Sequence, residues 1–311
     1  MSRNGLRHRC RTSFLGAVLL AALAAAGLLP GAGAEEKKAE AKVKPVRALL
    51  VIGGCYHDYA KQKDILAKGI AARAHIDVTV AYDPDKSCDH LNPVYEKADW
   101  AKGYDVVIHD ECSADVKDLN VINRILEPHR QGLPAVVLHC GMHSYRSEGW
   151  PKATPWFEFT GLATTAHAAQ LPIAITFTDK DNPITKGLKD WTTIREELYN
   201  NSAGKLLDTA VPLARGKQKV REGKEDNFVA VWTNDYNHKA RVFATTLGHN
   251  NETVADARYL DLVTRGLLWS VDKLDDKYLK PFDPSKEPKP EKPEKPEKPV
   301  QSPEPPRNSE P

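Results

Sequence analysis

Reactive side chains crowd a short stretch near the middle of the chain, directly after an apolar run. The run 135–138 (Ala-Val-Val-Leu) follows a glycine-containing turn, and His139, Cys140 and His143 come next. Imidazoles and thiols can bind a metal, move protons or attack an electrophile. Such a run predicts a strand buried on both faces, and ligands of parallel sheets bind just beyond the carboxyl ends of the strands. We therefore predict a functional site here; an ordinary turn after a buried strand is the alternative.

Three earlier apolar runs are predicted strands, at 47–52, 77–82 and 105–109, and they alternate with helical patterns around 62–73 and 116–130. This alternation predicts βαβ units and an α/β fold with a mostly parallel sheet. Because such crossovers are right-handed, the carboxyl ends of the strands share one edge. The side chains expected to meet at that edge are His57, Asp110, Glu111, His139, Cys140, His143 and the thiols of Cys55 and Cys112.

The second half of the chain is also predicted to fold. Alternating or apolar runs indicate strands at 171–177, 208–213, 227–233 and 241–246, and a helical pattern at 259–274 closes the domain. The α/β domain is thus predicted over 46–278.

Both ends are predicted to lie outside this domain. Four arginines precede an apolar run at 14–29, and Ala32-Gly33-Ala34 has a small-x-small pattern, so 1–34 is predicted to be a secretory signal peptide cleaved after Ala34. An uncleaved membrane anchor is the alternative. Residues 35–45 are a charged linker, and the Pro-, Lys- and Glu-rich segment 279–311 is a predicted disordered tail. We expect a secreted or periplasmic protein with no integral membrane segment after cleavage.

Charge argues against a nucleic-acid partner. Removal of 1–34 takes away four arginines and no acidic residue, which leaves 40 basic against 42 acidic residues. Such a chain lacks the basic excess that binds phosphate backbones. Four cysteines remain (Cys55, Cys88, Cys112 and Cys140), and sequence does not choose among their three complete pairings. It also leaves the oligomeric state open.

Several motifs together resemble a known family, the ThuA-like domain named for trehalose utilisation. The motifs, in chain order, are Gly53-Gly54-x-x-His57, Leu138-His139-Cys140, Glu196-Glu197-Leu198-Tyr199 and the segment from Val242 to His249. The resemblance covers about 47–273. It implies a class I glutamine amidotransferase-like fold, a flavodoxin-like three-layer sandwich, and a role in sugar catabolism, often of oxidised (keto) sugars.

The same resemblance implies a nucleophile elbow in the wider superfamily, where a cysteine and a late His-x-Glu form a triad. Cys140 falls at the elbow position, and His249 lies near the late histidine. The carboxylate of Glu252 comes one residue late, however, so the chain departs from that triad.

Four functions remain open on these residues. One is a site for a divalent, zinc-like metal, with His57, His139, His143 and His249 as ligands. Metal-free acid–base catalysis on a small carbohydrate through Glu111, Glu197 and His249 is another. A thiol enzyme that uses Cys140 and a non-catalytic sugar-binding module are the remaining two. The residues predicted to bind the sugar are Gly54, His57, Tyr145, Trp156 and Tyr236. The histidines expected away from the site are His75, His90, His129, His167 and His238.

Overall fold

The computed structural model describes residues 43–151, 154–202, 206–221 and 223–282. It contains nine strands and five α-helices. The strands are β1 (Val46–Gly54), β2 (Ile76–Asp83), β3 (Val106–Cys112), β4 (Ala135–Leu138), β5 (Leu171–Phe177), β6 (Trp191–Glu196), β7 (Ala210–Arg221), β8 (Lys224–Tyr236) and β9 (Ala240–Thr245). The helices are α1 (Tyr59–Arg73), α2 (Leu119–Arg130), α3 (Pro155–Thr160), α4 (Asn251–Val254) and α5 (Ala257–Ser270), and short 3₁₀ turns lie at Pro93–Glu96 and His139–His143.

All nine strands form one mixed sheet in the order β2-β1-β3-β4-β9-β8-β7-β5-β6. The first five strands of this order are parallel, and every later pairing is antiparallel. The prediction of a mostly parallel sheet is therefore wrong for the second half. Short turns join β7 to β8 and β8 to β9, and such turns can connect only antiparallel strands. The alternating burial of β5 is also typical of an antiparallel sheet with one solvated face.

The parallel half has a core on both faces. Side chains of β1 alternate between the two cores: Leu50 and Ile52 pack on the side of α1 and α5, whereas Leu49 and Val51 pack on the side of α2 and α3. Helix, sheet and helix thus form three layers, as predicted. Burial on both faces explains why these strands are continuous apolar runs in the sequence.

The strands and helices depart from the predicted bounds at three places. β3 continues to Cys112 rather than ending at 109, β6 is an additional strand, and the closing helix ends at Ser270. The chain still packs on the domain beyond 278: the backbone N–H of Lys280 donates to the Arg73 oxygen at 2.8 Å. The predictions for 1–34, for the linker up to residue 42 and for the tail from 283 lie outside the described residues. Within the described ranges, no helix combines the length and apolar character needed to cross a bilayer.

Candidate functional site

A glycine at the end of β1 brings the first histidine to the edge of the sheet. Gly54 has a φ of 95°, and a Cβ there would lie 2.2 Å from the backbone oxygen of Cys112. Glycine avoids this collision, so the chain can turn closely against β3 before it reaches His57 and α1. Gly54 was predicted to bind substrate; the structure places it against the backbone of β3.

The second histidine follows β4 in a strained backbone conformation. His139 has a φ of 37°, which non-glycine residues rarely adopt. Its Nδ1–H donates to the backbone oxygen of Thr246 at 2.7 Å, and its Nε2 lies 3.1 Å from the Tyr199 hydroxyl. Strain of this kind persists where the surroundings hold it and is frequent at functional sites. The sharp turn expected at Cys140 is thus centred on His139.

A buried carboxylate joins the end of β6 to the loop that follows β9. Oε2 of Glu196 accepts from the backbone N–H groups of Glu197 and His249, both at 3.2 Å. Its Oε1 accepts from the N–H of Asn250 at 3.1 Å. Because one carboxylate binds both segments, Glu197 is fixed beside His249.

These segments gather histidines around the Glu197 carboxylate. Its Oε2 lies 3.2 Å from His249 Nδ1, 3.4 Å from His167 Nε2 and 3.5 Å from His139 Nε2. The ring centroid of His57 is 4.8 Å from that of His139 and 4.9 Å from that of His249. His143 lies beside them, with its ring stacked on that of Tyr199 at a centroid distance of 4.1 Å. We call this group the histidine cluster. Its members are His57, His139, His143, His167, His249 and Glu197.

The charges in the cluster oppose the effect of burial. Burial alone would raise the pKa of Glu197, but His139 and His249 outweigh it and hold that pKa far below its usual range. Burial also disfavours a charged His139, yet Glu197 and Glu196 raise its pKa above the ordinary value. For His57, burial and the charge of His139 lower the pKa well below the ordinary value. At neutral pH the cluster therefore combines an ionised carboxylate, a histidine that readily takes a proton and a neutral histidine.

The cluster opens into a cavity of about 1030 Å³. This volume suits a ligand of disaccharide size or larger. All members of the cluster except the buried His139 line this cavity, together with Tyr56, Asp115, Arg146 and Gln170. Tyr56 is 79% exposed at the rim. A second cavity, of about 790 Å³, lies beside α2 and is lined by ordinary surface side chains such as Asn123 and Arg124. The chemistry of the walls singles out the first cavity.

Three imidazoles of the cluster lie close enough together to hold a metal ion. Nitrogens of His57, His139 and His249 lie within 4.8 Å of one another. The Nδ1 atoms of His57 and His249 are buried without a hydrogen-bond partner among the described residues; for His249, Nδ1 is within ion-pair distance of Glu197 but is not aligned for a hydrogen bond. The bond from His139 to a backbone carbonyl is of the kind that orients metal-binding histidines. These donors fit Zn²⁺ or a similar ion.

The cysteines form two disulfides, Cys55–Cys88 and Cys112–Cys140. Cys88, Cys112 and Cys140 line the cavity. Because its sulfur is bonded to Cys112, Cys140 offers no thiolate in this structure. The arrangement argues against Cys140 as a nucleophile.

Four residues predicted for the site lie away from the histidine cluster. Oε1 of Glu111 accepts from the hydroxyls of Tyr95 at 2.6 Å and Tyr145 at 2.9 Å, inside the core beside α2 and α3. Trp156 donates from Nε1 to the Gly141 oxygen at 2.8 Å. Tyr236 packs on Phe159 in the same core. The cavity walls therefore include none of the four predicted residues, which are Glu111, Tyr145, Trp156 and Tyr236.

The side-chain carboxyl of Asp110 is buried and forms no hydrogen bond with a side chain or backbone group of the described residues. It adjoins Glu111 in β3 but lies on the opposite face of the strand. Burial, reinforced by the charge of Glu111, raises its pKa well above the ordinary value. Asp110 is thus no part of the ion-pair network around Glu197.

Sequence reasoning missed two polar residues of the site. His167, expected away from it, contacts Glu197, and Gln170 donates from Nε2 to Glu197 Oε1 at 3.1 Å. Both lie in the irregular segment between α3 and β5, where no periodicity indicates their direction. Tyr199 could have been predicted from the sequence, because it is the last residue of the Glu-Glu-Leu-Tyr motif.

Comparison with known proteins identifies the family and the fold. Residues 47–270 match the family model described as ThuA, trehalose utilisation. The chain is similar to a ThuA-like protein from Parabacteroides merdae, with 21% identity, a TM-score of 0.55, and coverage of 79% of this chain and 95% of that one. A ThuA-like protein from Bacteroides uniformis is similar at 15% identity and a TM-score of 0.55, over 73% and 93% of the two chains.

A weaker likeness, at 9% identity and a TM-score of 0.40, is to a glutamine amidotransferase from Thermotoga maritima, over 73% of this chain and 98% of that one. No curated protein matches the sequence. The two ThuA-like structures show the fold, and the family model spans most of the domain. The chain belongs to the ThuA (trehalose utilisation) family.

Proposed function

We propose that this protein acts on a carbohydrate by acid–base catalysis at the histidine cluster. The observation that carries the proposal is an ionised Glu197 in contact with three histidines at the wall of an open cavity. The family supports a carbohydrate-related role in general terms. The choice of catalysis rests on the side chains.

His249 is the best candidate for the group that exchanges a proton with the substrate. It is partly exposed to the cavity, with 17% of its side chain accessible, and Glu197 lies against its Nδ1. A carboxylate in this position orients an imidazole and stabilises the imidazolium that forms after proton transfer. His167, which contacts the same carboxylate from the outer wall, is a second proton carrier. Isomerisation and glycosidic cleavage both require an acid and a base.

A divalent ion would be held by His57, His139 and His249. It would supply Lewis-acid chemistry, such as polarisation of a sugar carbonyl or activation of water. Glu197 would then be the basic group that remains beside the substrate. The unpartnered Nδ1 atom of His57 supports this metal site.

Product analysis tests the proposal against a non-catalytic sugar-binding module. Purified protein, with and without added Zn²⁺, is incubated with disaccharides and with their keto derivatives, and the products are separated. We expect turnover that His249→Ala lowers by about 10²-fold or more. His238→Ala, at the exposed turn between β8 and β9, is the matched control and should leave turnover unchanged. Binding without turnover would favour the binding module, and full activity of His249→Ala would remove that residue from the mechanism.

A further inference from the structure

One cation in the cavity wall lacks a matching anion. Arg146 follows the 3₁₀ turn after β4, is half-buried and lines the cavity. Its Nε donates to the backbone oxygen of His143 at 2.8 Å, and its guanidinium lies 4.6 Å from the ring centroid of Trp150. These two contacts fix the plane of the guanidinium. Neither terminal nitrogen forms a hydrogen bond with a described residue.

The nearby carboxylates do not compensate this charge. Of the two acidic residues in the cavity wall, Glu197 is engaged by histidines, and Asp115 forms an ion pair with Lys117 at 3.2 Å. Across the described ranges, no carboxylate is within ion-pair distance of Arg146. Burial lowers the pKa of Arg146, and Asp115 and Tyr199 offset this only in part. A partly desolvated guanidinium without an anion is unfavourable. Binding of a ligand that supplies an anionic group therefore lowers the free energy of the site.

The position of Arg146 connects it to the histidine cluster. Its Nε binds the backbone of His143, whose ring stacks on Tyr199, and the Tyr199 hydroxyl lies 3.1 Å from His139. Tyr56, the most exposed large aromatic side chain among the described residues, lines the same cavity. A sugar ring against Tyr56 could thus direct one substituent to the cluster and another to Arg146. Exposed aromatic rings are suited to stacking on the apolar face of a sugar.

We propose that the ligand of this cavity is a sugar carrying an anionic group, a carboxylate as in a uronic acid or a phosphate ester, and that the two terminal nitrogens of Arg146 bind that group. The planar fork of a guanidinium matches both anions through paired hydrogen bonds. This inference rests on the proposed carbohydrate function and specifies its substrate class. Arg146 selects the ligand, whereas Glu197 and His249 act on it.

Calorimetry with three sugars that share one ring tests the inference: glucose, glucuronate and glucose 6-phosphate. We expect at least one charged sugar to bind about tenfold or more tightly than glucose at low ionic strength, as paired charge-assisted hydrogen bonds require. Arg146→Gln should remove this preference. Arg146→Lys should keep part of it, because an ammonium retains the charge but not the fork. Arg124→Gln, in the cavity beside α2, is the matched control and should bind all three sugars as the unmodified protein does.

The two charged sugars identify the source of the anion. Preference for glucuronate indicates a carboxylate, and preference for glucose 6-phosphate indicates a phosphate ester. Equal affinity for all three sugars, absence of binding by both charged sugars, or a preference that survives in Arg146→Gln overturns the inference. An Arg146-dependent preference without turnover of any charged saccharide would leave it standing and overturn the proposed catalysis. Turnover of neutral saccharides without a charge preference would overturn the inference and leave the proposed catalysis standing.

Discussion

Two groups of histidine and glutamate lie in different parts of the fold, one beyond the carboxyl ends of the parallel strands and one buried against a face of the sheet. They differ in what their polar atoms contact. The histidine cluster faces an open cavity and keeps unpartnered nitrogens. The second group, which we call the closed network, is fully buried between the sheet and helices α2 and α3. Its members are Tyr95, His109, Glu111, His129 and Tyr145.

Hydrogen bonds fix nearly every proton of the closed network. His129 Nδ1 must donate to the Leu133 oxygen at 2.7 Å, so its Nε2 accepts from His109 Nε2 at 3.1 Å. The other nitrogen of His109 then donates to Glu111 Oε1 at 2.9 Å. His109 is thus paired with the Glu111 carboxyl, whose pKa it helps to lower against the effect of burial. Burial and the neighbouring His109 lower the pKa of His129 to about 3, so His129 stays neutral.

The same residue types therefore serve a structural role in one group and are available for chemistry in the other. In the closed network only Glu111 Oε2 lacks a partner among its polar side-chain atoms, and every member of the network is fully buried. What distinguishes a candidate site is access to a ligand together with unused donors and acceptors. Four predictions test this distinction.

Glu197→Gln tests the open group and should have the largest effect. The amide keeps the shape of the side chain but cannot stabilise a charged imidazole. We expect turnover of the substrate to fall by about 10²–10⁴-fold. The midpoint of thermal unfolding should also fall, because the lowered pKa of Glu197 means that its charge favours the folded state. Assays and calorimetric scans of the same preparation measure both. Loss of folding with unchanged specific activity would assign Glu197 a structural role.

Glu111→Ala tests the closed network. It leaves the buried His109 without its counter-ion, so we expect the free energy of unfolding to fall by about 3–5 kcal/mol. Urea titration followed by circular dichroism measures the change, with Glu148→Ala, on the exposed surface, as the control. A variant of normal stability that had lost turnover would show that the closed network takes part in the chemistry.

His57→Ala tests whether the unpartnered nitrogens of the open group bind metal. After treatment with a chelator, the unmodified protein should bind Zn²⁺ in calorimetric titration, and the variant should bind it at least about tenfold more weakly, since one of three protein ligands is lost. His75→Ala controls for weak surface binding. Identical titrations of all three proteins would rule out this metal site.

Asp110→Asn tests the buried carboxyl group of β3 that belongs to neither the histidine cluster nor the closed network. The folded state raises the pKa of Asp110 above its unfolded value, so this residue favours folding below pH ~4, and that contribution is lost as the pH rises towards the folded pKa. An amide does not ionise. The variant should therefore be more stable than the unmodified protein at pH 8, by about 1 kcal/mol or more, and the gain should shrink at pH 5. A gain that does not depend on pH would show that Asp110 has the same pKa in both states.

The sequence sufficed for the parallel half of the fold and for four of the five histidines in the open group. Continuous apolar runs located β1, β3 and β4, and His57, His139 and His143 follow two of them. The assignment of Glu111 to the site failed for a specific reason. The strand predicted from the apolar pattern ends at 109, whereas β3 runs to Cys112.

Within a strand, successive side chains point to opposite faces, so the continuation of β3 turns Glu111 away from the cavity. Hydrophobicity could not reveal this, because the last residues of β3 are polar and still buried. The strands of the second half were predicted except for β6, but their antiparallel pairing was missed because it depends on short turns rather than on the apolar pattern. His167 was missed because no regular element contains it.

The hydrogen bonds of Glu196 connect the outermost strand of the sheet to the loop after β9, although three strands lie between β6 and β9 in the sheet order. The Glu197 carboxylate, which we propose takes part in catalysis, therefore follows an edge strand of the sheet. Its partners His139 and His249 follow the interior strands β4 and β9. Detachment of that one edge would disable the protein while the parallel core stayed folded. Heat should consequently abolish ligand binding before it melts the helices, and amide exchange in β6 should report the loss.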